Sequence, residues 1–248
     1  MQNFTIGITT FDKRFDMLKN LVESIRKYCS QDIIVTVNGN HNTPLDPAYR
    51  KQSLEFFSSI DNLYPIYFTE LRGLAKLINT IFIHSKNENV LILNDDLNVT
   101  DKIFFDELEV AFNNLQNLTK LQTTWYSSFS HYICKKSFMM EIGYYDERFL
   151  GFGEEDGDLT YRYIERFGTE IPSIGINGLE HLNSEIRQDI KPGVGKYSLF
   201  NREFIAKKYA FDGNGKIKGM FDKEASIALP MAGQYVYEKF FSENKDNL

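Results

Sequence analysis

The feature that most constrains the fold is an unbroken apolar run, residues 89–93 (NVLIL), that stops at Asn94-Asp95-Asp96. A strand without polar alternation is covered on both faces, as in a parallel sheet flanked by helices. The two carboxylates then fall at its C-terminal end, outside which open α/β sheets bind ligands. The preceding chain agrees. Residues 4–10 read as a short buried strand. Residues 15–28 carry Leu18, Leu21, Val22 and Ile25 at helical spacing, and residues 32–37 (DIIVTV) form a second buried strand closed by the turn Asn38-Gly39-Asn40. A strand–helix–strand unit of this kind implies a parallel pair with a right-handed crossover.

The same reading predicts helices over 50–60, 73–85, 102–118 and 155–167, and a helix start at 138–142. Strands are expected at 66–69 and 121–133, with an edge strand at 171–176. Residues 143–153 form an aromatic, glycine-rich loop and 191–195 a Pro/Gly loop. Helices at 196–209 and 224–241 follow, separated by the turn Asp212-Gly213-Asn214-Gly215, and the polar tail 242–248 frays. The whole is an α/β domain over 1–195 with a C-terminal helical extension over 196–248. It divides into a first half of about 1–100 and a second half of about 101–195.

Composition excludes several classes. Lys and Arg number 28 against 34 Asp and Glu, a net charge of −6, and no basic run interleaved with aromatics occurs, so nucleic acid is not an expected partner. Cys29 and Cys134 lack CxxC spacing, which argues against a cysteine zinc site or a disulfide framework. No signal peptide and no apolar stretch of about 18–20 residues is present, so the cytoplasm is the expected location.

Two acidic segments could carry chemistry. Asp95 and Asp96 repel one another unless a cation intervenes, and Mg²⁺ or Mn²⁺ is often held by one or two carboxylates plus substrate phosphates. The plainer reading is a capping turn before the next helix. Gly151-Phe152-Gly153-Glu154-Glu155-Asp156-Gly157-Asp158 packs four carboxylates into five residues. Crowding tunes the acidity of a general base. A charged helix N-terminus is the alternative, although it does not ask for Gly-Phe-Gly in front. His181 is structural unless it meets the acidic turn in space, where a neutral imidazole could ligate a cation. Arg72 and Lys76 open a helix whose N-terminus could meet a pyrophosphate, or simply be capped. Asn38 ends the second strand, and Thr9, Thr10 and Arg14 follow the first; all four could line one crevice.

Together these segments resemble the GT-A glycosyltransferases, particularly the family-2-like and β-1,4-galactosyltransferase-like groups, over roughly residues 4–185. ITTFDKR resembles the family's first strand and loop, VTVNGN its second strand, and RGLAKLIN the helix start after its third. LILNDD is similar to the DxD motif, with Asn94 in place of the first acid. YYDERFLGFGEEDGDL resembles the acceptor-side block of inverting enzymes. The resemblance implies a Rossmann-like nucleotide-diphospho-sugar transferase fold, mostly parallel, with helices on both faces, whose nucleotide-sugar half is about 1–100 and acceptor half about 101–195. It makes Asp96 the metal ligand, Asp95 a ribose or metal contact, and His181 a third ligand to Mn²⁺ or Mg²⁺. It makes Asp156 the catalytic base, Glu155 a contact to the acceptor hydroxyl, and Phe152, with Gly153, the acceptor-lining position. The activity implied is inverting transfer of a hexose from a nucleoside-diphosphate sugar, a UDP-sugar first. The acceptor is a glycan or lipid-linked glycan, in surface polysaccharide synthesis.

Two rivals stand beside it. A sugar-1-phosphate nucleotidyltransferase expects a glycine-rich loop after the first strand, where this chain has Phe11-Asp12-Lys13-Arg14. A non-catalytic sugar-nucleotide or glycan-binding module is supported by Asn94 and opposed by the Glu155-Asp156 pair. In the C-terminal region, Phe200, Phe204, Tyr209, Phe211, Met220 and Phe221 are interspersed with Arg202, Lys207 and Lys208. That series suits peripheral contact with the inner face of a membrane, a homodimer interface, or a cover for the acceptor cleft.

Overall fold

A computed structural model describes residues 3–11, 14–39, 45–123, 126–182 and 191–209. The helix expected at 224–241, the turn at 212–215, the tail, and Phe211, Met220 and Phe221 lie outside the described residues. The chain divides into two compact units. One takes the described residues of Met1–Leu71, Thr80–Phe138 and Pro172–Ser184, and the other those of Arg72–Asn79, Met139–Ile171 and Glu185–Leu248.

In the first unit, β1 (Phe4–Phe11) pairs in parallel on both edges, with β2 (Asp32–Asn38) and with β4 (Asn89–Asn94). β3 (Leu63–Tyr67) continues the parallel side beyond β2. On the other side β7 (Tyr126–Lys135) runs antiparallel to β4, β6 (Leu118–Thr123) antiparallel to β7, and β8 (Ser173–Gly175) parallel to β6. The order is β3-β2-β1-β4-β7-β6-β8.

Helices cover both faces. Phe4, Ile6 and Ile8 of β1, Ile33, Val35 and Val37 of β2, and Leu91 and Leu93 of β4 share a core with two helices. These are α1 (Phe15–Arg26), through Leu18, Leu21, Val22 and Ile25, and α4 (Ile103–Asn113), through Phe104, Phe105, Leu108 and Phe112. α2 (Pro47–Ser58) adds Tyr49 and Phe57 and is capped by Asp46, which accepts the Ala48 N–H at 2.9 Å. On the opposite face, α3 (Leu74–His84) approaches β1 at Gly7. A Cβ there would lie 2.4 Å from Ile81 Cγ2, so only glycine lets helix and sheet meet so closely.

A small antiparallel sheet was not expected from the sequence: β5 (Leu97–Val99), just past the acidic turn, pairs with β9 (Leu179–His181). Boundaries also differ: the strand expected at 66–69 is Leu63–Tyr67 and the helix expected at 50–60 is Pro47–Ser58. The single strand expected at 121–133 is two strands, β6 and β7. The helix expected to reach 118 ends at Asn113, because β6 claims Leu118. Residues 191–195 are not a loop but the start of α7 (Lys191–Tyr209), whose first turn tolerates Pro192 because N–H groups there lack intrahelical partners.

The second unit contains α6 (Glu155–Phe167) and α7, and α5 (Lys136–Ile142) contributes its last residues. A small apolar cluster of Phe149, Ile205 and Tyr209 is joined by Tyr161 and Phe204. Beside it lies a buried charge network. Lys208 Nζ reaches Asp146 Oδ2 at 2.7 Å and Asp158 Oδ1 at 2.6 Å, Arg162 Nε donates to Asp158 at 2.9 Å, and the Tyr209 hydroxyl donates to Asp158 at 2.6 Å. Arg148 adds a forked pair to Asp146. Each carboxylate thus faces two basic side chains, which is what allows charge to stay buried.

Candidate functional site

Register brings the predicted donor-side residues of the first unit to one edge. Thr9 pairs with Asn94, and Phe11 with Asn38, so Thr9, Thr10, Asn38 and Asn94 all lie at the C-terminal ends of adjacent parallel strands. Asp95 turns inward there and is 2% exposed. Its Oδ2 accepts the Thr10 hydroxyl at 2.7 Å and its Oδ1 pairs with Arg14 Nη1 at 2.5 Å. The Arg14 guanidinium also lies 5.0 Å from the Phe11 ring centroid. Burial pushes the Asp95 carboxyl up to about 6; Arg14 and Thr10 oppose this, and Asp96 adds to it. Asp95 and Arg14 therefore tie the acidic turn to the β1 loop.

Asp96 points elsewhere. The β5–β9 pairing sets Leu97 opposite His181, and Leu182 N–H donates to the Asp96 carbonyl at 2.8 Å. The Asp96 Oδ1 and His181 Nδ1 atoms end 3.9 Å apart. Two residues 85 positions apart in sequence (181 − 96) thus meet beyond the C-terminal end of β4, the condition the sequence reading set for His181. A carboxylate oxygen and an imidazole nitrogen suit Mn²⁺, and adjacent ligands on an octahedral ion with bonds near 2.1 Å sit about 3 Å apart. Closing the gap requires a side-chain adjustment of about 1 Å. Among the described residues no group of three or more His, Cys, Asp or Glu could hold an ion alone. A cation bound here would take its other ligands from substrate phosphates and water.

The sequence reading missed His131 and Ser130, which it placed inside a strand without a role. His131 stands opposite Leu93 in the β4–β7 pair, one residue from the acidic turn. Its ring centroid is 5.3 Å from that of His181. Burial lowers its pKa to about 4; the neighbouring His181 contributes and Asp96 opposes. Ser130 Oγ lies 2.7 Å from His131 Nδ1 and 3.4 Å from His181 Nε2. A histidine inside a strand, one position past a serine and level with the end of the apolar run, was the only signal available.

The residues read from the sequence as acceptor-side belong to the second unit. Glu154 (φ 72°) and Gly153 (φ 106°) adopt left-handed conformations that turn the chain into α6. At the helix start Asp156 is half-buried, and its Oδ1 accepts the Gly157 N–H at 2.8 Å. Glu155 is buried. Burial, then the adjacent Asp156, raises its carboxyl to about 8, against its own and the Gly153 N–H groups. Phe152 and Gly153 are half-buried. The loop before them is clamped by Asn201 of α7, whose amide accepts Leu150 N–H at 2.9 Å and donates to the carbonyls of Leu150 and Gly153 at 2.8 Å each.

The start of α3 is engaged within this unit. Leu74 N–H donates to the Gly151 carbonyl at 2.6 Å, and Lys76 pairs with Glu147 at 3.2 Å, both side chains buried. Asn79 fixes the same segment, donating to Glu147 and to the Tyr145 carbonyl at 2.9 Å each. Lys76 thus faces a carboxylate of its own unit, and Arg72 is half-buried beside it in sequence.

No family model and no curated protein matches the sequence. Solved structures do match in shape. GalNAc-T7, solved with UDP, GalNAc and Mn²⁺, superposes with a TM-score of 0.62 at 12% identity over 97% of this chain and 54% of that one. TarS of S. aureus gives 0.57 at 12% identity over 99% and 54%. Both exceed the length of this chain, which spans about half of each. Glucosyl-3-phosphoglycerate synthase of Mycobacterium tuberculosis, solved with Mn²⁺, UDP and glucosyl-3-phosphoglycerate, gives 0.60 at 11% identity over 86% and 82%. The chain has the GT-A fold of the glycosyltransferases. A mannosyltransferase of Pyrobaculum calidifontis with GDP-Man and Mn²⁺ shares this GT-A architecture, with a TM-score of 0.59 at 12% identity over 98% and 75%.

Proposed function

We propose that this GT-A protein is a divalent-metal-dependent glycosyltransferase that takes a hexose from a nucleoside-diphosphate sugar, a UDP-sugar first, and passes it with inversion to a hydroxyl of a glycan or lipid-linked glycan. Surface polysaccharide synthesis is the setting proposed for it. The observation that carries this reading is the meeting of Asp96 and His181 at the C-terminal edge of the parallel strands. Asp96 and His181 would hold Mn²⁺ or Mg²⁺, which when bound offsets the charge developing on the departing diphosphate. Arg14 and Thr10 keep Asp95 fixed, so the turn that carries Asp96 is set before substrate arrives. Thr9, Asn38 and Asn94 line the same edge, where a nucleoside would contact them.

Asp156 is proposed as the base that accepts the proton of the acceptor hydroxyl, whose oxygen then displaces the diphosphate in one step. Its half-exposed position leaves it reachable. Glu155 is the second candidate on one specific observation: its carboxyl is raised to about 8, near the operating range of a base. The neighbours with bound UDP, GDP-Man and Mn²⁺ support the donor class.

The test is nucleoside-diphosphate release and sugar transfer with and without Mn²⁺, in wild type, Asp96→Ala, Asp156→Asn and Glu155→Gln. Asp96→Ala should abolish the response to Mn²⁺, and Asp156→Asn should lower turnover at least 100-fold. A wild-type rate in Asp156→Asn with a collapse in Glu155→Gln reassigns the base. No turnover and no Mn²⁺-dependent nucleotide binding in wild type refutes the reading.

A further inference from the structure

His181 can present a lone pair from Nδ1 toward Asp96 only if its proton sits on Nε2. That proton needs an acceptor, and Ser130 Oγ lies 3.4 Å from Nε2, at the long end for a hydrogen bond. A hydroxyl has two lone pairs and one hydrogen. Ser130 can therefore accept from His181 and keep its 2.7 Å bond to His131 Nδ1 in either direction. His131 is fully buried, so its ring holds the serine hydroxyl in a fixed place.

We infer that Ser130, held by His131, is a positioning residue that sets which nitrogen of His181 carries the proton, keeping Nδ1 open for a divalent cation. The inference rests on the proposed role of His181 as a cation ligand. The competing tautomer puts the proton on Nδ1, facing the Asp96 carboxylate 3.9 Å away, and that form cannot ligate through Nδ1. Removing the hydroxyl takes the Nε2–H acceptor away and shifts the balance toward the competing form. Changing such an orienting partner typically lowers metal affinity about 10- to 100-fold.

The experiment uses the full chain with Mn²⁺ and UDP as probes. Mn²⁺ affinity is measured by electron paramagnetic resonance in wild type, Ser130→Ala, Ser130→Thr and His181→Ala. The tautomer of His181 is read from imidazole ¹⁵N shifts of the wild type with Mg²⁺ and UDP, a measurement that needs no variant to fold. The expected result is the Nε2–H form in wild type, a 10- to 100-fold weaker Mn²⁺ affinity in Ser130→Ala, and recovery to within about threefold in Ser130→Thr. Wild-type Mn²⁺ affinity in Ser130→Ala, or an Nδ1–H form in wild type, overturns the inference. If affinity falls in His181→Ala but not in Ser130→Ala, the metal reading stands and this inference alone fails. If wild type binds no Mn²⁺ with UDP, both fail.

Discussion

Replacing Glu155 by Gln separates the stability of the protein from its acidity in a way that can be worked through. An ordinary Glu ionises near 4.5, and in the folded chain burial, with Asp156 adding, raises Glu155 to about 8. Below 4.5 both folded and unfolded chains carry the proton, and its stabilising contribution is complete. Between 4.5 and 8 the unfolded chain has lost the proton while the folded chain keeps it, so stability falls with rising pH, by 1.36 kcal/mol per unit. Over that window the loss reaches about 5 kcal/mol, and above 8 it levels off. Gln has nearly the same shape and never ionises, so Glu155→Gln escapes this loss. Urea unfolding of both proteins at pH 5, 6, 7, 8 and 9 should show the variant gaining on wild type steadily and then reaching a plateau. Other titrating groups are shared and cancel in the difference, apart from the neighbouring Asp156 and Glu154, whose coupling to Glu155 is lost with it. A gap that stays constant within about 0.5 kcal/mol from pH 5 to 9 would refute the account of Glu155 as a desolvated acid.

Three further substitutions test the tie points. Arg14→Met leaves Asp95 buried without its cation and should cost about 3–5 kcal/mol at pH 8; the cost shrinks at pH 5, where an Asp95 carboxyl raised to about 6 is protonated. Lys208→Met removes one of two basic partners from both Asp146 and Asp158. It should cost about 3 kcal/mol, seen as a melting point roughly 6–12 °C lower. Asn201→Leu strips three hydrogen bonds from the Leu150–Gly153 loop and should cost about 3 kcal/mol. Hydrogen exchange at the Leu150 amide should accelerate, and an unchanged rate there would count against the clamp.

The parallel strands were legible because their sequences are nearly unbroken apolar runs: β1, β2 and β4 could be read directly, and with them the edge that carries Asn38, Asn94 and Asp96. The β6–β7 division was hidden. Thr124 and Trp125 between them carry no turn-type residue, so 121–133 looked continuous. The β5–β9 pair was illegible for another reason. Three residues per strand give no periodicity, yet that pair is what brings His181 to Asp96. The pairing of Lys76 with Glu147 also lay beyond reach, since it joins residues 71 positions apart (147 − 76) with no local pattern. His131 was passed over because a histidine in a strand is ordinarily a packed residue, and only the ring of His181 beside it gives it meaning.

The buried network around Lys208 also imposes an order on synthesis. Asp146 leaves the ribosome 62 residues before the lysine that neutralises it, an interval of roughly 3–12 s at 5–20 residues per second. Throughout that time α6 can form as a helix, but Asp146 and Asp158 lack one of the two cations that face each of them in the finished network. The charge network at the start of α6 is therefore completed late in translation, by a residue near the end of α7.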